Sequence, residues 1–354
     1  MPRSSTWILL LLPLAATIPL IAADGANDLP APRGYVGYKT TTPPTIDGDL
    51  SDAAWANAPW SEDFVDIEGA AKPKPAHLTR MKMLWDDKAL YIAAELTEPH
   101  VWATLTQHDA VIFHDPDFEV FLDPNGDNHL YGELELNALN TTWDLLLTKP
   151  YRDGGHAINA WEITGLKTAV KVNGTLNNPA DTDTGWTVEI AWPWSGLNEL
   201  AKEVGPPKDG DRWRINFSRV EWDFDVVQGK YVKVKGKPEH NWVWSPQGAI
   251  DMHRPERWGY LQFSTKTDGG VKYTPDPAQG VKDRLHQAYY SQCRHKQKAG
   301  RFATDLQELE LPKSPFGSPT LMSTQSGYEL TLPAPKEGGG KKWSITQDSR
   351  IWRQ

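Results

Sequence analysis

Asp117-Phe118-Glu119-Val120-Phe121-Leu122-Asp123-Pro124-Asn125-Gly126-Asp127-Asn128-His129-Leu130-Tyr131-Gly132-Glu133-Leu134-Glu135-Leu136-Asn137 decides the fold class of this 354-residue chain. On either side of a turn rich in Pro, Asn, Gly and Asp, polar and apolar residues alternate with a period of two. That is the period of a half-buried β-strand. Working outward, similar runs bounded by turn residues recur at 79–85, 90–96, 117–122, 130–138, 142–147, 166–172, 186–192, 213–220 and 258–264. Parallel βαβ units would need a crossover helix between strands, and helix-length patterns are absent between these runs. The sequence therefore predicts an all-β fold, an antiparallel, jelly-roll-like β-sandwich over 40–264, with short helical turns at 51–58 and 193–200.

The flanks read differently. Residues 1–23 have the form of a signal peptide, with Arg3 ahead of an apolar stretch and Ala22-Ala23 as a small-residue cleavage site, so export to the periplasm, cell surface or medium is expected. Once that segment is removed, no membrane span is expected. Residues 24–39 are expected to be an N-terminal extension. Beyond Ser264, a Pro/Gly linker (Thr274-Pro-Asp-Pro-Ala-Gln-Gly280) leads to a small α+β appendage over 265–354. In it, 281–298 predict one amphipathic helix through Leu285, Ala288, Tyr289 and Gln292, followed by two or three weak strands.

Charge divides the chain at the same place. Residues 24–265 carry 22 basic and 37 acidic side chains, net −15, against 14 basic and 9 acidic, net +5, in 266–354. An acidic main domain lacks the basic face that nucleic acid requires, so no nucleic-acid partner is expected. Cys293 is the sole cysteine, which excludes an intramolecular disulfide and leaves stability to the core. Fourteen of the 17 tryptophans fall between Trp55 and Trp258, enough to fill a core and still supply aromatic platforms.

Six short motifs in fixed order now carry a resemblance. They are Pro43-Pro44-x-Ile46-Asp47-Gly48-x-Leu50-x-Asp52-x-x-Trp55, Leu84-Trp85-Asp86-Asp87-x-x-Leu90-Tyr91, Asp117-x-Glu119-Val120-Phe121-Leu122-Asp123, Gly185-Trp186-x-Val188-Glu189, Gly210-x-x-Trp213-Arg214-x-Asn216 and Pro255-x-x-Trp258-Gly259. The string resembles carbohydrate-binding module family 9, whose members are β-sandwich domains found beside polysaccharide-degrading enzymes. The resemblance implies an exported protein that binds a poly- or oligosaccharide in support of carbohydrate catabolism, with such enzymes as partners.

The resemblance also implies a site in which a sugar ring lies between two tryptophans while carboxylate, amide and arginine groups hold its hydroxyls. Here the first platform falls at Phe113 and the second at Met252 and His253, so both depart from tryptophan. Glu119 takes the carboxylate position, Asn137 the amide position, and Glu135 stands where the family has arginine. His253 and Trp258 are expected at the rim of the same cleft, since sandwich loops distant in sequence meet at one end. Trp143, Trp222, Trp242 and Trp244 are the alternative platforms.

Asp123, Asn125 and Asp127 place oxygen ligands at alternate positions of a loop, a spacing that suits the structural calcium the family implies, although Asn128 and Leu134 exclude an EF-hand. A hairpin turn accounts for the same residues. Asp109, Asp115 and Asp117 form a second acidic group. No acid/base pair, zinc-hydrolase motif or nucleophile elbow stands out among the carboxylates and histidines. A glycoside hydrolase is the alternative reading, and a non-covalent haem-binding relative using Met81, Met83, Met252 or His253 is a second.

Overall fold

The alternation around the 123–130 turn produces two antiparallel strands with Glu119 directly opposite Glu135. In this computed structural model, which describes residues 30–201, 205–267, 269–334 and 341–354, the remaining runs join the same sheet. The expected signal segment and residues 24–29 of the expected extension lie outside the described residues. In chain order the first strands are β1 (Gly34–Lys39), β2 (Val65–Asp66), β3 (Thr79–Trp85), β4 (Ala89–Thr97), β5 (Asp117–Asp123), β6 (Tyr131–Asn137), β7 (Thr142–Leu147) and β8 (Ala157–Ile158). They are followed by β9 (Lys167–Asn173), β10 (Gly185–Pro193), β11 (Arg212–Glu221), β12 (Phe224–Val227), β13 (Lys230–Lys233), β14 (His240–Val243) and β15 (Gly259–Ser264).

The large sheet runs β8-β7-β6-β5-β11-β15-β1-β3-β4-β10-β9, with β14 beside β11 and β2 beside β14. It curls on itself, because Met81, Met83 and Ile92 from one half and Phe118, Val120, Leu136 and Phe217 from the other belong to one core. Burying each such side chain contributes about 1.5–3 kcal/mol. Pairing is antiparallel except at β1, which is parallel to both β15 and β3. This strand corrects the expected boundary at residue 40: Tyr35, Val36 and Tyr38 are buried in the sheet. Its two glycines mask the alternation, and Gly37 packs closely, with a Cβ position that would lie 2.8 Å from Leu261 Cδ1.

Two of the motifs form one structural knot. Glu189 accepts hydrogen bonds from the Asp47 and Gly48 amides at 3.0 and 2.8 Å and from Trp55 Nε1 at 2.6 Å. Gly48 has φ +85° and lies against Lys171 N, where any Cβ would clash at 2.7 Å. These residues thus tie the 47–55 segment to β9 and β10.

The appendage contains α1 (Gln279–Ala299) and a four-stranded antiparallel sheet, β16 (Thr320–Ser323), β17 (Tyr328–Pro333), β18 (Lys342–Thr346) and β19 (Ile351–Arg353). Val281, Leu285, Ala288 and Tyr289 pack on Leu330, Leu332, Ile345 and Ile351, with the half-buried Cys293 at the edge of that core. Polar groups lock the appendage to the sandwich: Asn128 Nδ2 donates to Ser349 O at 2.8 Å, and Arg254 Nη2 to Tyr290 Oη at 3.1 Å. No helix among the described residues is long and apolar enough to cross a membrane.

Candidate functional site

Alternation along β5 and β6 sends Phe118, Val120, Leu134 and Leu136 into the core and Asp117, Glu119, Phe121, Glu133 and Glu135 to the opposite face. On that face Trp143 of β7 sits beside Glu135, and Ser218 of β11 beside Glu119. The surface so formed is the floor of a cleft of about 350 Å³, lined by Glu119, Glu133, Glu135, Trp143, Val220 and Asn241. Its walls come from loops: Phe113, Tyr151, Glu239 and the Ile250-Asp251-Met252-His253 segment. An open, concave floor with one partly exposed indole and several acceptor groups suits a ligand with apolar C–H faces and hydroxyl edges.

The structure brings Phe113, Glu119, Glu135 and His253 to this cleft and leaves two expected site residues out. Asn137, with 0% exposure, spends its amide on the protein, donating to Leu105 O and Asp115 Oδ2 and accepting from the amides of Leu139 and Thr141. It pins the 105–115 loop over the end of β6. Trp258, also 0% exposed, packs under Phe121 and Tyr131 and donates from Nε1 to Met252 O at 2.8 Å. It supports the cleft wall from behind and is not at the rim.

His253 is wedged against Tyr151 and Phe121, its Nδ1 3.0 Å from Tyr131 Oη, and burial pushes its pKa down to about 4, so the ring is neutral at pH 7. Of the alternative platforms, Trp143 alone lines the cleft. Trp222 donates to Phe113 O and has Lys233 Nζ 3.7 Å over its ring, Trp242 packs against Arg219, and Trp244 is core. The Glu239 and Asn241 contributions escaped the sequence reading because β14 has only four residues; the His240–Val243 alternation is too brief to stand out. Tyr151 had no sequence signal.

The floor is strongly acidic. Burial pushes Glu119 up to about 7, with Glu239 adding repulsion. Burial, then the neighbouring carboxylates, raise Asp117, Glu133 and Glu135 well above the usual carboxylate range. The Asp117, Glu119 and Glu135 oxygens lie within 4.8 Å of one another. Met81 and Met83 are sealed in the core, which removes both from any haem.

The calcium loop does not fit its ion. Asp123 accepts the Gly126 and Asn128 amides, Asn125 Oδ1 the Asp127 amide, and Asp127 the His129 amide and Arg350 Nε. The donor atoms are consumed by an Asx-type turn that docks the appendage. Asp115 is likewise occupied, by the Thr104 and Leu105 amides and Thr104 Oγ1, and anchors its loop, while Asp109 lies apart from it beside His108, 3.4 Å from Nε2. A larger hollow of about 790 Å³ beside Trp161, Glu162 and Glu199 offers no comparable platform, since Trp161 is buried.

Residues 46–245, more than half of the chain, match the family model described as carbohydrate family 9 binding domain-like. The chain belongs to this family. Within the family 9 domain, the match ends just past β14, the strand that closes one side of the cleft. Curated relatives include exoglucanase XynX of Acetivibrio thermocellus, 25% identical over 158 residues, and endo-1,4-beta-xylanase A of Thermoanaerobacterium saccharolyticum, 27% identical over 154. Each alignment covers 44% of this chain but only 12% and 11% of those proteins. Among solved structures, a carbohydrate-binding module family 9 from Caldicellulosiruptor kristjanssonii in complex with cellotriose is 19% identical, with a TM-score of 0.44, covering 69% of this chain and 100% of that one. A module of the same description in complex with glucose gives 19%, 0.43, 67% and 100%.

Proposed function

We propose that this protein binds a carbohydrate in the cleft over β5, β6 and β7. The observation that carries the reading is the row Trp143–Glu135–Glu119 on one concave sheet face, in a chain of a carbohydrate-binding family. Trp143 stacks on a pyranose face, the carboxylates and Asn241 take its hydroxyls, and Phe113 and His253 close the sides. The names of the relatives and the leader-like residues 1–23 support an exported protein that serves polysaccharide breakdown beside degrading enzymes.

Glycan-array screening followed by calorimetry with cello- and xylo-oligosaccharides tests this. The expected result is saturable binding that Trp143→Ala weakens at least tenfold, with no reducing sugar released. Absence of binding to every glycan refutes the carbohydrate reading. Turnover would replace the binding function with a hydrolase.

A further inference from the structure

Asp117, Glu119 and Glu135 converge for reasons set by register: Glu119 faces Glu135 across the β5–β6 pair, and Asp117 lies two residues along on the same face. Their side chains are 0%, 5% and 2% exposed, so water cannot disperse three neighbouring negative charges. Protein cations do not neutralise them either. Among the described residues neither these three nor Glu133 forms an ion pair; Asp117 Oδ1 accepts the Val220 amide at 3.2 Å and Glu135 Oε2 the Phe113 amide at 2.9 Å.

A second observation points to a missing partner. Glu133 Oε2 and Asp117 Oδ2 are buried without any hydrogen-bond partner, and Glu133 lines the cleft next to Glu135 on the same strand face. Unpartnered buried carboxylate oxygens are costly, and a cluster of them marks a place where a cation belongs. The donors are all hard oxygens, which select calcium or manganese over softer metals. Two calcium–oxygen bonds of about 2.3–2.6 Å span at most roughly 4.6–5.2 Å, and the three oxygens all lie within 4.8 Å of one another, close enough for one ion of that size to reach all three.

We propose that a divalent cation of calcium size sits at the floor of the cleft, bound by Asp117, Glu119 and Glu135 within the field of Glu133, and that its open coordination positions take hydroxyls of the bound sugar. The second half of this proposal rests on the carbohydrate reading above; the first half stands without it. Calcium takes six to eight oxygen ligands, so three carboxylates leave positions toward the cleft mouth. Glu135, which replaces the arginine implied by the family resemblance, thus supplies a ligand where that arginine would have repelled the ion.

The test uses the full chain stripped with EDTA. Titration with calcium chloride at pH 7.5 should show one site. Terbium chloride should give emission sensitised by Trp143 that calcium displaces, a readout independent of stability. Glu135→Gln and Glu119→Gln, checked for folding by circular dichroism, should weaken calcium binding at least tenfold, whereas Asp127→Asn in the 123–129 turn should leave it unchanged. No calcium binding and no terbium emission, or binding abolished by Asp127→Asn and untouched by Glu135→Gln, overturns the site. Oligosaccharide binding lost in EDTA and restored by calcium supports the hydroxyl role. Sugar binding that survives EDTA overturns that role while leaving the carbohydrate reading intact, and calcium binding without affinity for any glycan does the reverse.

Discussion

Glu256→Gln should destabilise this protein by about 3–5 kcal/mol, the cost of removing one partner from a buried ion network. Glu256 is 4% exposed and sits between two arginines, with Oε2 2.9 Å from Arg152 Nη2 and Oε1 3.4 Å from Arg254 Nε, and it also accepts from Tyr290 Oη. Burial alone would raise its pKa, but Arg152 and then Arg254 hold it well below the carboxylate range. Gln keeps the volume and one acceptor, so the loss is electrostatic. Two guanidiniums are left in a low-dielectric site, with Asp153 at 3.7 Å and Asp251 at 4.0 Å from Arg152 as the remaining counter-charges. Urea denaturation at pH 7.5, comparing midpoints at constant slope, measures the effect. A loss under about 1 kcal/mol would refute the argument, because it would mean that Glu256 is neutral or that the network is solvated. The sign with pH follows: a depressed carboxylate contributes stability that is present above the unfolded value near 4.3 and lost as pH falls further. The wild-type advantage over Glu256→Gln should therefore shrink only in strong acid.

Three further outcomes are expected. Asn137→Ala should lower stability by about 1–3 kcal/mol, because it orphans buried groups of Asp115 and Leu105, while sugar affinity stays the same; the opposite pattern in paired denaturation and calorimetry would return Asn137 to the site. His286, pushed down to about 4 by burial, contributes stability that is present above its unfolded value near 6.5 and lost as pH falls toward 4. His286→Gln should thus flatten the decline in Tm over that window relative to wild type, and an unchanged slope would show that the ring is solvated. Truncation after residue 264 should give a chain that melts well below the full protein by calorimetry, since it strips Tyr290 and Ser349 from buried partners; equal melting would show that the appendage contributes nothing to the sandwich.

The sandwich was legible because its central strands alternate polar and apolar residues even though both faces are buried, and the residues for α1 carry a clear amphipathic stripe. Strands β1 and β14 and the β12–β13 hairpin were not, since glycines, exposed charges and lengths of four to six residues dilute a period-two signal. The site shows a similar division. Alternation assigns Glu119, Glu133, Glu135 and Asn137 to one face, but it cannot say which positions of that face lie under open space. Asn137 fails because the 105–115 loop covers its end of the strand, a tertiary fact with no local signature. Asp123-x-Asn125-x-Asp127 is ambiguous for a physical reason: Asx turns and calcium loops use the same oxygens at the same spacing, and only the partners, here backbone amides and Arg350, decide.

The appendage, silent in sequence, gains a role from where it touches the sandwich. Arg152 Nη1 donates to His253 O at 2.7 Å while its other nitrogens reach Glu256 and Tyr289, and Arg254 ties Tyr290 to Gln247 O. Met252 O is held by Trp258 from the core side. The Ile250-to-His253 wall of the cleft is therefore gripped from two directions, by the core tryptophan and by α1 through the two arginines. Neither grip touches the open face. A loop with an exposed Ile250 at its tip would otherwise sample more conformations, and each would have to be given up on binding. The buried charges at this junction make sense as a registration device: hydrophobic contacts alone would tolerate sliding of α1 along the sandwich, whereas an Arg–Glu–Arg arrangement with a tyrosine hydroxyl has one geometry that satisfies every group. Fixing that geometry fixes the wall, and the wall sets the width of the cleft above Trp143.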